Sequence, residues 1–134
     1  MSMFCYQCEQ TAKGTGCTMA GVCGKDADTA ALQDLVVHAA KGLGVWAHRA
    51  AQKGWRDDEV NGFVLEALFS TLTNVNFNPA HLAEYLQRAA RLLAKVRAAA
   101  EKLGVSAGGL PAPASWRPAA DLAGLIRQGH DVTI

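Results

Sequence analysis

Four cysteines, Cys5, Cys8, Cys17 and Cys23, fall within the first 23 residues, and none occurs in the 111 that follow. Their spacing is C-x2-C-x8-C-x5-C. A C-x2-C pair brings two thiolates within chelating reach of one metal centre, and glycines around the later two let the chain wrap back to supply two more. Four thiolates suit either tetrahedral zinc or an iron–sulfur cluster. Zinc ribbons and fingers usually present two tight pairs with a longer stretch between them, and here only the first pair is tight. The wider gaps suit a larger object whose corners lie several ångströms apart, each meeting one cysteine. The spacing therefore favours an iron–sulfur cluster, with zinc and metal-free thiols left open. Phe4, Tyr6, Met19 and Val22 interleave the cysteines and are expected to shield a cluster from water. Lys25 follows the last cysteine and reads as a surface lysine, with the lesser option of offsetting a cluster's negative charge.

Residues 1–26 are rich in glycine and carry little apolar periodicity, so the elements that position this loop lie beyond it. Alanine supplies 25 of the 134 residues while aromatics make up 7%, a balance that favours packed helices over a sheet. From Asp28, with Thr29 as the expected N-cap, Leu32, Leu35, Val36, Ala39, Leu43 and Trp46 recur at helical spacing, and Gly54 suits the C-terminal cap. Gly42 and Gly44 inside this helix are expected to mark close backbone approach. A second helix is predicted over 57–73 on Val60, Phe63, Val64, Ala67, Leu68 and Leu72. A third is predicted over 79–103, capped by Asn78 with Pro79 at its first position, on Leu82, Leu86, Ala89, Leu93, Val96, Ala100 and Leu103. Residues 105–118 hold Pro111, Pro113 and Pro118 and read as a linker, followed by a short helix near 119–128. The expected architecture is all-α: a cysteine-rich loop (1–26), an antiparallel three-helix bundle (27–104) and a linker with a short terminal helix (105–134), forming one compact domain.

A net charge of +1 leaves no bulk field to draw the chain onto nucleic acid or an anionic membrane, and no apolar run reaches the roughly 18–20 residues of a spanning helix. The N-terminus has neither a basic nor an apolar leader region, and with clustered cysteines the expected compartment is the cytoplasm. Arg88, Arg91, Lys95 and Lys102 form a basic stripe on the third helix, expected to pair with Glu84 and Glu101 and, less directly, to offer a docking face for an acidic electron donor. Among the histidines, His38 borders an apolar stripe; none of the four is assigned a metal role.

Phe4-Cys5-Tyr6-Gln7-Cys8-Glu9-Gln10-Thr11-Ala12, Gly16-Cys17-Thr18, Gly21-Val22-Cys23-Gly24-Lys25, Leu32-Gln33-Asp34-Leu35 and Lys41-Gly42-Leu43 closely resemble the N-terminus of hybrid-cluster proteins, also called prismane proteins or hydroxylamine reductases. The quoted match spans residues 3–44, with only helical character shared beyond. The resemblance implies that Cys5, Cys8, Cys17 and Cys23 ligate the family's proximal cluster, of the [4Fe-4S] kind for this spacing. That cluster would relay electrons from a redox donor to a second, iron–sulfur–oxygen hybrid cluster, where hydroxylamine or nitric oxide is reduced. The family's hybrid cluster draws its His, Glu and Cys ligands from later domains. With no cysteine after Cys23 this chain is not expected to build that site or to turn over alone, and it reads as an N-terminal part of the longer enzyme. Leucine or alanine faces meant for the remaining domains would favour self-association.

Overall fold

Each helix starts where a short polar side chain takes up free backbone amides. Asp26 accepts from the Thr29 amide at 2.7 Å and opens α1, Ala27–Ala51. Asp57 accepts from Val60 at 3.0 Å and opens α2, Asp58–Leu72. Asn78 accepts from Ala80 at 2.9 Å, with Pro79 next, and opens α3, Pro79–Lys102. Asp121 accepts from Gly124 at 2.7 Å and opens α4, Leu122–Asp131. Such caps contribute about 1 kcal/mol each. The N-cap of α1 is thus Asp26, not Thr29: the Asp26 carboxylate reaches the third amide, and Thr29 lies buried inside the first turn. The terminal helix begins three residues later than the spacing suggests and runs on to Asp131 instead of stopping near 128.

The computed structural model describes residues 2–132. Met1 and the last two residues of the expected terminal segment lie outside them. Among the described residues the secondary structure is helical, with 3₁₀ turns at Ala12–Gly14 and Ala112–Ser115 and an isolated two-residue bridge in the cysteine loop. Among the described residues no helix is long and apolar enough to cross a membrane.

Named contacts fix the helix directions. Arg88 on α3 pairs with Glu66 on α2, and Lys95, further along α3, pairs with Asp57 and Glu59 at the start of α2. These helices are therefore antiparallel. Gln33 near the start of α1 donates to the Asn76 carbonyl just past the end of α2, so α1 and α2 are antiparallel as well. The core lies along α1, whose Leu32, Leu35, Val36, Leu43 and Trp46 meet Phe63, Leu82, Leu86, Leu93 and Val96. Basic residues of α3 staple it to α2 instead of pairing with Glu84; among the described residues Arg97 makes the one i,i+4 pair, with Glu101 at 2.9 Å.

Two helical stripes differ from the sequence expectation. On α2 the buried side is Val60, Phe63, Ala67, Ser70 and Thr71, while Leu72 is exposed and Val64 and Leu68 are half-buried. Ser70 and Thr71 can face inward because each hydroxyl donates to a carbonyl three residues back, at 2.8 and 3.0 Å. Their inward place leaves Leu65, Phe69 and Leu72 as an outward apolar stripe. On α3, Leu92 joins the core and Leu103, at the C-cap, is left partly in water.

Residues 105–118 form a packed strap. Its Ala114 and Trp116 are buried, and the Trp46 indole Nε1 donates to the Ala114 carbonyl at 2.9 Å. A Cβ on Gly42 would stand 2.2 Å from the Pro113 carbonyl oxygen, so the strap lies directly on the α1 backbone there. Gly44 meets nothing within 4 Å, and close approach explains Gly42 alone. Further on, Gly129 of α4 is pressed against the backbone of Ala31, where a Cβ would stand 2.2 Å from the carbonyl oxygen. The segment after α3 therefore runs back along α1 to its N-terminal end, where the cysteine loop also sits.

Candidate metal centre

The loop begins as an extended segment with a period of two. Met3, Cys5 and Gln7 point inward and are buried, while Phe4 and Tyr6 point out and are exposed. Cys5 and Cys17 exchange two backbone hydrogen bonds of 2.9 Å, an antiparallel bridge that closes the first loop. Their side chains, with Met3, form a small apolar cluster on Ala30 of α1. The Thr11 hydroxyl donates to the Cys5 carbonyl at 3.0 Å and stands 3.6 Å from Cys17 Sγ. All four cysteines are free thiols; Cys5 and Cys17 are buried, Cys8 is half-buried and Cys23 exposed.

Phe4, Tyr6, Met19 and Val22 are exposed and do not shield the loop. For Phe4 and Tyr6 the reason is the two-residue alternation, which turns them away when it turns Cys5 inward. Lys25 is the opposite case: expected at the surface, it is 2% exposed. Its ammonium reaches the Gln7 Oε1 at 2.9 Å, the Gln33 Oε1, and Cys5 Sγ at 3.9 Å, and it lies 5.5 Å from the centroid of the Phe77 ring. Gln7 in turn donates to Asp34 at 2.5 Å and to the Ala30 carbonyl at 3.3 Å. Three segments meet at this polar knot: the cysteine loop, the first turns of α1, and the α2–α3 turn. Gln33 and Asp34 are the residues that inspection of the sequence did not single out as functional. Their signal was two adjacent polar side chains inside an otherwise apolar run, Ala30 to Val36, all of it buried.

Several donors of the loop are aimed at sulfur. The Ala12 amide donates to Cys17 Sγ at 3.4 Å. Hydrogen bonds from the Ala12 and Val22 amides, with the Thr11 hydroxyl, hold the Cys17 thiol below its ordinary range. Burial pushes Cys23 up, but the Lys25 amide, the Asn74 side chain and the Lys25 charge outweigh it and leave this thiol lowered. Burial pushes the Cys5 thiol up against the opposing Gln7 amide and Lys25 charge. Asp34, buried beneath Gln7, is raised to about 6 by loss of water, with Gln7 and Lys25 acting against the rise.

The donor set fits a thiolate-bound metal group: four free cysteines on one loop, with the Ala12 amide, the Thr11 hydroxyl and the Lys25 ammonium directed at sulfur. Hydrogen bonds of this kind orient ligands and tune the centre they hold. The backbone brings Cys5 and Cys17 together. Among the described residues no three His, Cys, Asp or Glu side chains stand close enough to hold a single ion.

A helical bundle with four cysteines on a loop folded against its first helix defines the class, and the chain belongs to the Prismane/CO dehydrogenase family, whose model matches residues 3–130. Among its relatives, it is 52% identical over 130 residues to the hydroxylamine reductase of Methanocella arvoryzae, covering 97% of this chain and 24% of that protein. It is 48% identical over 136 residues to the hydroxylamine reductase of Rhodospirillum rubrum, covering 98% of this chain and 25% of the relative. The chain thus spans about a quarter of the length of the curated relatives it matches. The likeness does not stop at residue 44.

Proposed function

We propose that this chain is the iron–sulfur electron-entry part of a hydroxylamine reductase, carrying one [4Fe-4S] cluster on Cys5, Cys8, Cys17 and Cys23. When bound, the cluster supplies one-electron redox chemistry. The chain's own residues bind and orient it. Cys5 and Cys17 are set by their backbone bridge, the Ala12 and Val22 amides and Thr11 direct the Cys17 sulfur, and the Lys25 amide and Asn74 direct that of Cys23. The observation that carries the reading is this convergence of donors on the sulfurs, in a chain whose relatives bear the name hydroxylamine reductase. The remaining domains of a full-length protein would hold the hybrid iron–sulfur–oxygen cluster that reduces hydroxylamine to ammonia or acts on nitric oxide. A cytoplasmic redox donor would supply the electrons.

The test is to purify the chain without air and measure iron, acid-labile sulfide and zinc, with an EPR spectrum after dithionite reduction. About four iron and four sulfide per chain, with an S = 1/2 signal, is the expected outcome. About one zinc without sulfide would replace the proposal with a structural zinc-binding interaction module. Turnover of hydroxylamine by this chain alone would refute the separation of electron entry from catalysis.

A further inference from the structure

Lys25 is a buried cation without an anionic partner of the ordinary kind. Its three N–H donors go to two neutral amide oxygens, of Gln7 and Gln33, and to Cys5 Sγ. Among the described residues no carboxylate lies within ion-pair distance of it. Asp34 is reached only through Gln7. Removing an ammonium from water is expensive unless an opposite charge is near. The atom in contact that can carry negative charge is the Cys5 sulfur, and a cysteine that ligates a metal is a thiolate. The same residue gives its backbone amide to Cys23. One lysine therefore touches two cysteines 18 positions apart in the sequence. It is fixed from behind by Gln33, which is itself anchored to the Asn76 carbonyl at 2.7 Å, and it lies near the ring of Phe77.

We propose that Lys25 is the built-in counter-charge of the metal centre, a positioning residue that stabilises the loaded loop and favours the reduced state of the cluster. The proposal rests on the iron–sulfur reading above. Reduction adds one electron and so one unit of negative charge, while Lys25 keeps its charge and its place. A fixed cation in a dry seam stabilises the more negative state, so the reduction potential is higher with Lys25 than without it. A merely structural latch would hold the loop through Gln7 and Gln33 and leave the potential unmoved.

The experiment compares the parent chain with Lys25→Met, Lys25→Arg and Gln33→Glu, purified without air, by iron and sulfide content and an EPR-monitored redox titration. Lys25→Met is expected to lower the midpoint potential and Lys25→Arg to hold it near the parent value. Gln33→Glu leaves the lysine in place but neutralises it, and is expected to lower the potential too. Equal potentials in the parent, Lys25→Met and Gln33→Glu would overturn the proposal. Should Lys25→Met fail to fold, Gln33→Glu alone decides. Should the parent hold zinc without sulfide, the iron–sulfur reading falls, and retention of zinc against a chelator decides in its place. Lys25→Met is then expected to bind roughly 10–100-fold more weakly, and equal retention would overturn the counter-charge.

Discussion

Replacing Gly42 by alanine, beside the same change at Gly44, tests whether the strap is seated on α1 as described. Both positions lie inside one helix, where alanine is favoured over glycine by about 1 kcal/mol. At Gly44 a Cβ meets nothing within 4 Å, so that gain should appear nearly whole. At Gly42 the new Cβ would stand 2.2 Å from the Pro113 carbonyl oxygen and 2.8 Å from its carbon. Both are backbone atoms, so the strap must retreat by most of an ångström. Retreat strains the 2.9 Å bond from Trp46 to the Ala114 carbonyl, worth about 1 kcal/mol. It also loosens Ala114 and Trp116 over the core, where forced repacking costs roughly 1–3 kcal/mol. The net expectation is a loss of about 1–3 kcal/mol for Gly42→Ala and a gain of up to about 1 kcal/mol for Gly44→Ala. Denaturant unfolding followed by tryptophan fluorescence reads both, since Trp46 and Trp116 border the contact. Equal stabilisation by the two variants would refute the seated strap.

Other consequences are open to direct measurement. Because α2 turns Phe63 inward and Leu72 outward, Phe63→Ala should cost about 3–5 kcal/mol and Leu72→Ser at most about 0.5 kcal/mol by denaturant titration, whereas similar costs would mean that α2 is rotated. Asp34, raised to about 6 by burial, holds its proton more tightly folded than unfolded. Its contribution is therefore fully present below the ordinary carboxylate range and is lost as pH rises through about 6. Midpoints of unfolding should fall from pH 5 to 7 more steeply in the parent than in Asp34→Asn, and parallel profiles would count against the buried carboxyl. Asn78→Ala should cost about 1 kcal/mol through loss of the α3 cap, and an unchanged midpoint would mean that the cap contributes nothing. On the proposed iron–sulfur reading, Cys17→Ser, at a heavily hydrogen-bonded sulfur, should hold far less iron than the parent, and undiminished iron content would remove Cys17 from the proposed ligand set.

The helices were legible because each is written locally: Asn78 as a cap, Pro79 at a first position, apolar residues every three or four along α1 and α3. So was the cysteine loop, as residue types at a telling spacing. Less legible was anything that depended on which of two acceptable faces turns inward. Leu72 and Leu103 have the chemistry of core residues, and Ser70 and Thr71 do not, yet the turn of α2 and the end of α3 reverse their places. The strap was hidden for a related reason. Pro111, Pro113 and Pro118 announce the absence of a long helix, but nothing in that composition says that the chain between them lies on Gly42.

The sequence by itself determined the four thiols, their spacing, the starts of α2 and α3 and the all-helical class, since each is decided by covalent order within a few neighbouring residues. Tertiary structure alone decided the environment of those thiols. Lys25 is two residues from Cys23 in the chain, but only the docking of the loop on α1 and on the α2–α3 turn buries its ammonium against Gln7, Gln33 and Cys5. Burial and charge contact are properties of surfaces brought together across long sequence separations, and no local pattern of residues encodes which surfaces will meet.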